Sequence, residues 1–135
     1  MDKFDAAKIQ LADGRVGYDA LKLVEIPVEG IKLSEYRNHK IVIQTKNTRY
    51  VLTTRNDRVL GQAFAENGEP RHLSKEREVN VHGSTYGGSM IRIGFIGVNM
   101  HLELSAKDPN HPDPWARTLT TTAIQSITVR ELPNE

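Results

Sequence analysis

Histidines and carboxylates on alternating segments are the first candidates for acid–base or metal chemistry. His82 and His101 both occupy polar positions, so their imidazoles could approach each other if their strands are neighbours. Glu103, or Asp108 with His111, would then complete a cluster of ligands or of proton donors and acceptors. No histidine pair has the His-Glu-x-x-His spacing, and no metal site is predicted. The alternative is that these histidines are solvated.

A glycine-rich segment, residues 83–89, interrupts the alternation that ends at His82. Glycines let a backbone approach a ligand closely, and neighbouring hydroxyls can form hydrogen bonds to it. The candidate ligand-binding residues are Gly83, Ser84, Thr85, Gly87 and Gly88, together with His82 and His101. A strand rather than a helix follows, without the Lys-Ser or Lys-Thr of a phosphate loop. The alternative is a wide turn that needs a positive φ at Gly87 or Gly88.

Basic residues are concentrated in residues 37–58, which hold six Lys or Arg against one Asp, a net charge of +5. The candidates for contact with nucleic acid or phosphate are Arg49, Arg55 and Arg58. Tyr50 is the only aromatic residue of this stretch, and its parity is inward, so no platform for base stacking is predicted. The alternative is a solvent-exposed strand edge whose Lys and Arg side chains oppose pairing with another chain.

Composition excludes several function classes. The chain has no cysteine, which rules out disulfides, thiolate-bound zinc, iron–sulfur clusters and thiol catalysis. It has no cofactor fingerprint and no Gly-x-Ser-x-Gly elbow, so we expect no cofactor. No apolar run approaches 18 residues and no signal-peptide pattern opens the chain. We therefore expect a soluble, cytoplasmic protein without membrane contact.

The elements that must position these residues are β-strands. Ten Val, ten Ile and ten Thr are β-branched and favour a pleated surface. The length of 135 residues suits one domain, and we predict a single all-β domain over residues 1–135. Its expected architecture is a small antiparallel β-barrel or sandwich of about eight or nine strands. Residues 1–20 form a hairpin around Asp13-Gly14 or, alternatively, a short helix.

Turn residues set the predicted register of a meander. Pro27 predicts an edge strand because proline cannot donate to a ladder. Strands follow at 40–46, 49–55 and 58–65, joined by Asn47-Thr48 and Asn56-Asp57. If both connections are two-residue loops, three opposed pairs result: Ile43 with Leu52, Leu52 with Gly61, and Tyr50 with Ala63.

The most apolar window runs from Ile91 to Leu104. Its apolar residues change parity between Phe95 and Val98, which predicts one strongly bent strand near Gly94–Gly97. We expect this window to be the most protected part of the fold. A proline-rich loop follows at residues 105–117, and we expect Trp115 to plug one end of the barrel.

These observations favour a non-enzymatic binding or assembly module that self-associates or binds a protein partner. No catalytic constellation is specified, whereas a β domain has edges that can pair. One alternative is a small hydrolase or isomerase that uses His82, His101 and a nearby carboxylate. Another is a weak nucleic-acid or phosphate binder that uses residues 37–58.

Overall fold

The computed structural model describes residues 24–65, 73–87 and 90–133, so the predicted N-terminal hairpin or helix lies outside the described residues. The described chain is all-β, and every strand pair is antiparallel. The strands are β1 (Ile26–Val28), β2 (Gly30–Lys32), β3 (His39–Gln44), β4 (Thr48–Arg55), β5 (Arg58–Ala65), β6 (Arg77–Gly87), β7 (Met90–Ile93), β8 (Phe95–Gly97), β9 (His101–Ala106), β10 (Thr118–Ala123) and β11 (Ser126–Glu131). A 3-10 turn spans Leu33–Glu35. Within these ranges, no helix has the length and apolarity to cross a membrane.

Nine strands form one sheet with the order β1-β11-β3-β4-β5-β6-β9-β10, and β7 pairs with β6 beside this path. β2 and β8 form a separate two-stranded sheet. β1 is an edge strand, as Pro27 predicts: Pro27 lies opposite Thr128 of β11, and in the described part of the chain β1 has no second neighbour. Among the strands that the structure describes, the hydrogen-bonded path ends at β1 and β10 and does not close on itself.

The meander β3-β4-β5 confirms two of the three predicted pairs. Leu52 lies opposite Gly61, and Tyr50 lies opposite Ala63. In each pair a large side chain meets a small one, which lets the strands pack closely on the inner face. Ile43, however, lies opposite Tyr50 rather than Leu52.

That difference comes from the turn between β3 and β4, which is centred on Lys46-Asn47 rather than on Asn47-Thr48. The Thr45 N–H donates to the Thr48 carbonyl at 2.9 Å, and the Thr45 hydroxyl donates to the same oxygen at 3.0 Å. Moving the turn by one residue shifts the register by two. Every side chain therefore keeps the face that the alternation predicts.

The window 91–104 is not one bent strand, contrary to our prediction. It is divided among β7, β8 and β9. Gly94, with φ of 71°, separates β7 from β8, and Asn99, with φ of 70°, lies in the turn between β8 and β9. In that turn the Met100 N–H donates to the Gly97 carbonyl at 3.2 Å. A positive φ takes the backbone out of the extended conformation, so a strand ends at each of these points.

Burial divides the same window in two. Leu102 and Leu104 are fully buried, as predicted, whereas Ile93 is 87% exposed and Phe95 is only half-buried. The reason is the position of β7, which extends the edge of β6 beyond the part that β5 covers. The rest of the core is aliphatic with one tyrosine: Ile31, Ile41, Ile43, Tyr50, Leu52, Ala63, Leu73, Val79, Ile96, Ile124, Ile127 and Val129.

The glycine-rich segment continues β6 as far as Gly87 instead of forming a wide turn. The register shifts between Val81 and Gly83 on the side of β9, and between Ser84 and Gly87 on the side of β7. Each bulge adds one residue to the strand, so the side chains beyond it point to the opposite faces. This explains why the alternation of apolar and polar residues stops at His82. Gly87 has φ of 124°, so the predicted positive φ is confirmed there. Gly88 lies outside the described residues.

Residues 107–117 form the predicted loop between β9 and β10, but Trp115 does not plug the sheet. Its side chain is half-buried and is not part of the core, and the Lys107 ammonium lies 5.9 Å from the ring centroid. The loop is held by its own polar groups. Asp108 accepts from the Asn110 N–H and pairs with Arg117 at 3.4 Å.

Candidate anion-binding site

A cleft of about 570 Å³ lies at the turn between β4 and β5 and is lined by Arg37, Arg55 and Arg58. We term it the arginine cleft. Its apolar lining comes from Leu33, Tyr36 and Val59. The volume falls in the range of small-molecule sites, and the combination of cations with an apolar wall suits an organic anion.

The turn itself brings two of the arginines together. Arg55 and Arg58 are directly opposed, and the two residues between them, Asn56 and Asp57, have φ of 55° and 61°. This is the two-residue turn that the sequence predicts at Asn56-Asp57. Like charges directly opposite each other destabilise a strand pair, so this arrangement concentrates positive charge at a cost in stability.

Carboxylates lie near the guanidinium groups of Arg37 and Arg58. Arg37 Nη2 lies 3.4 Å from Asp57 Oδ1, and Arg58 Nη2 lies 3.4 Å from Glu78 Oε1. Both partners in the Arg37–Asp57 pair are more than three-quarters exposed. Exposed ion pairs of this kind contribute at most about 1 kcal/mol. An incoming anion can therefore replace the Asp57 carboxylate at Arg37 with little loss.

One buried threonine holds the wall of the cleft in place. The Thr54 hydroxyl donates to the Tyr36 carbonyl at 2.5 Å and accepts from the His39 N–H at 3.0 Å. Between these two residues the chain turns through Asn38, whose φ is 56°. On the other side of the cleft, the Leu33 N–H donates to the Gly94 carbonyl at 2.9 Å. Backbone hydrogen bonds thus position the apolar lining beside the arginines.

The structure separates the third predicted arginine from the other two. Arg49 lies near the opposite end of β4, about 20 Å from Arg55 at the rise of an extended strand. Its guanidinium lies 5.2 Å from the centroid of the Phe64 ring. Arg37, which the sequence pattern did not single out, takes its place in the cleft. The only signal for Arg37 was its position at the start of the basic stretch.

The hydroxyl groups of Ser84 and Thr85, two of the predicted ligand-binding residues, form hydrogen bonds to nearby backbone groups. The buried Ser84 hydroxyl donates to the Phe95 carbonyl at 2.7 Å. The Thr85 hydroxyl donates to the Met90 carbonyl and accepts from the Gly87 N–H. Gly83 packs so closely that a Cβ there would lie 2.0 Å from the Arg92 carbonyl oxygen. These contacts give the segment a structural role, joining β6 to β7 and β8.

The two histidines bind different partners. His82 Nε2 lies 2.7 Å from Ser105 Oγ, and His101 Nδ1 lies 2.8 Å from the Thr121 carbonyl oxygen. Ser105 is only 2% exposed, and its hydroxyl also contacts that of Thr118 at 3.2 Å. Among the residues that the structure describes, no three His, Asp or Glu side chains are grouped to hold a metal ion.

A second surface emerges that the sequence pattern did not predict. The hairpin of β6 and β7 exposes three large apolar side chains, Tyr86, Met90 and Ile93, at 71%, 80% and 87%. The alternation placed Ile93 inward because its parity matches that of Phe95.

Comparison of the chain with protein-family models, with curated proteins and with solved structures finds no match. Function is therefore inferred from the arginine cleft and from the surfaces around it.

Proposed function

We propose that the protein is a non-enzymatic binding module that takes an organic anion in the arginine cleft. The observation that carries this proposal is the opposed pair of Arg55 and Arg58 across a tight turn, with Arg37 beside it. A guanidinium group presents a fork of donors that matches the two oxygens of a phosphate or carboxylate. An anion bound between the two arginines would also offset their mutual repulsion.

The apolar lining narrows the ligand class. Leu33, Tyr36 and Val59 are half-buried and lie beside the arginines. A ligand that combines one or two anionic groups with a small apolar or aromatic part would use both kinds of wall. Inorganic phosphate would use only the arginines and should bind more weakly than an aryl phosphate.

Calorimetric titration with phenyl phosphate, pyrophosphate and inorganic phosphate at low ionic strength tests this proposal. We expect the Arg55→Gln/Arg58→Gln variant to lose at least about tenfold in affinity, as two charge-assisted contacts are removed. Arg49→Gln is the matched control, because it removes the same kind of charge from the far end of β4. Equal affinity in the parent and the double variant, or no titration of any of the three anions, would contradict the proposal.

The finer architecture is also a proposal. We infer that the sheet curves into a small, partly open barrel. Two contacts support this closure: the Gln125 N–H donates to the Gln44 carbonyl at 2.7 Å, and the Ile124 N–H donates to the Met100 carbonyl at 2.8 Å. The corner between β10 and β11 therefore bonds to both β3 and the start of β9, which draws the ends of the path together. A sandwich with one wide corner would use the same contacts.

Self-association is the second candidate function, and the exposed apolar residues of the β6–β7 hairpin favour it. Large apolar side chains exposed on one protruding hairpin are candidates for an interaction surface. Sedimentation of the parent should show a dimer that Ile93→Lys converts to a monomer. Ile26→Lys is the control, because Ile26 is 54% exposed on β1 and lies outside this hairpin. A parent that remains monomeric at high concentration would argue against assembly.

The remaining expectations have less support. A hydrolase or isomerase would need an accessible nucleophile or base, whereas the Ser105 hydroxyl that contacts His82 is buried. Binding of an organic anion fits a cytoplasmic location, which stays a prediction from the sequence.

A further inference from the structure

Five basic side chains share the outer face of β11, β3, β4 and β5. Opposed residues of antiparallel neighbours lie on one face of a sheet, and residues two apart along a strand share that face. Arg130 lies opposite Lys40, and Lys40 lies opposite Thr53. Residues 49, 53 and 55 of β4 share this face, and Arg55 lies opposite Arg58. The basic face thus comprises Arg130, Lys40, Arg49, Arg55 and Arg58.

Two like-charged pairs stand out on the basic face. Arg130 and Lys40 are directly opposed, and so are Arg55 and Arg58 two strands away. In the described part of the chain, the Arg130 Nε atom is buried and has no hydrogen-bond partner. Opposed like charges and an unsatisfied buried donor both reduce stability. Phosphate oxygens placed across the face would offset the repulsion between the like charges, whereas the buried Nε atom lies out of their reach.

The same face carries an aromatic ring. Phe64 is half-buried and lies opposite Arg49, whose guanidinium is 5.2 Å from the ring centroid. Unstacked nucleobases stack on aromatic rings and on guanidinium planes. The basic stretch itself holds no such platform, because Phe64 lies six residues beyond it, and the register of β4 and β5 brings the ring opposite Arg49.

Acidic side chains border the face and limit its charge. Glu78 lies near Arg58 and Lys107 at 3.4 and 3.5 Å. Glu25 and Glu76 line a groove of about 230 Å³ together with Lys40, Arg49 and Phe64, so two carboxylates stand on the face beside the aromatic ring. We therefore expect binding that is modest in affinity and strongly dependent on salt.

We propose that the basic face binds single-stranded nucleic acid. Phosphates would lie at the two like-charged pairs, and a base would stack at Phe64 and Arg49. The inference rests on the proposed function, because one phosphate of the strand would occupy the arginine cleft. The distance of about 20 Å along β4 between the cleft and Phe64 is long enough to accommodate several nucleotides. A duplex would keep its bases paired and unavailable to Phe64, so it should bind more weakly.

Fluorescence anisotropy with a labelled single strand of about 12 nucleotides, and with a duplex of the same length, tests this proposal. We expect Phe64→Leu to weaken binding of the single strand about fivefold or more. The Lys40→Gln/Arg130→Gln variant should lower the slope of log affinity against log salt by about 0.7 for each phosphate that it no longer neutralises. Arg117→Gln is the control, because it removes an exposed charge from the loop before β10.

The outcomes separate this inference from the proposed function. If phenyl phosphate or pyrophosphate binds in the cleft but the single strand does not bind at low ionic strength, the basic face is overturned and the cleft proposal stands. Binding that is unchanged in Phe64→Leu and in the Lys40/Arg130 variant also overturns it, as does equal or tighter binding of the duplex. Thermal melts establish that each variant folds, and Arg49→Gln tests the same stacking site if Phe64→Leu does not fold.

Discussion

Arg55 and Arg58 lie directly opposite each other across a two-residue turn, and this relationship links the fold to the candidate site. The turn is as short as a hairpin allows, so the two guanidinium groups project from neighbouring positions on one face. A longer connection would let the strands end earlier and the charges separate. The charge density of the arginine cleft therefore depends on the backbone conformation of Asn56 and Asp57.

The first prediction concerns this turn. Asn56 has φ of 55°, which asparagine and glycine tolerate better than alanine. We expect Asn56→Ala to lower the free energy of unfolding by about 1–2 kcal/mol and Asn56→Gly to leave it nearly unchanged. Urea denaturation measures both. Equal stability of the two variants would mean that the left-handed conformation does not constrain the turn.

The second prediction compares two glycines of β6. Gly83 and Gly87 both have positive φ, but a Cβ at Gly83 would lie 2.0 Å from the Arg92 carbonyl oxygen, whereas none of the described residues comes within 4 Å of one at Gly87. Gly83→Ala should therefore cost at least about 2 kcal/mol, and Gly87→Ala only about 1 kcal/mol. Thermal or urea unfolding gives the order, and the reverse order would contradict the close packing of β6 on β7.

The meander was predictable because several independent signals agree on it. The asparagine turns, the alternation and the pairing of large with small residues all select the same inner face, so a turn misplaced by one residue changed no side chain's face. For residues 91–104, the alternation of apolar residues between odd and even positions was the only signal for the fold. The alternation does not distinguish one bent strand from several strands separated by breaks, and Gly94 and Asn99 lie at the two breaks.

The third prediction follows from the burial of that window. Leu102 is fully buried in β9, whereas Ile93 is 87% exposed in β7. In the monomer, measured at low protein concentration, Leu102→Ala should cost about 2–5 kcal/mol, and Ile93→Ala should fall within about 0.5 kcal/mol of the parent. Hydrogen exchange should be slow in β9 and faster in β7. Strong protection and a large cost at Ile93 would show that a partner covers the hairpin.

The site was only partly predictable for a related reason. The basic stretch is visible in the sequence, but the sequence does not show which of its arginines lie together. Arg55 and Arg58 line the cleft, while Arg49 lies near the far end of β4. Arg130 joins the basic face through its pairing with Lys40, which is far away in the chain, whereas Phe64 lies opposite Arg49 in the β4–β5 register that the sequence predicts. Hydrophobic alternation identifies a residue's face and does not identify its neighbour across the sheet.

The last prediction tests whether the cleft is preformed. Thr54 does not need to touch a ligand to affect binding, because its buried hydroxyl joins the Tyr36 carbonyl to the His39 N–H. Thr54→Val keeps the shape of the side chain and leaves both backbone groups without this partner, which should cost about 1–3 kcal/mol of stability. The segment that carries Tyr36 and Arg37 would then be held less firmly. Affinity for phenyl phosphate should fall about threefold or more, since the cleft must be ordered on binding.

Thr54→Ser is the matched control for this prediction, because it retains the hydroxyl and removes one methyl group. Calorimetric titration should give Thr54→Ser the affinity of the parent and give Thr54→Val the weaker one. If Thr54→Val loses stability but binds phenyl phosphate as the parent does, the wall of the cleft does not contribute to affinity. The three arginines would then be sufficient to bind the anion, and the apolar lining would have no part in selecting the ligand.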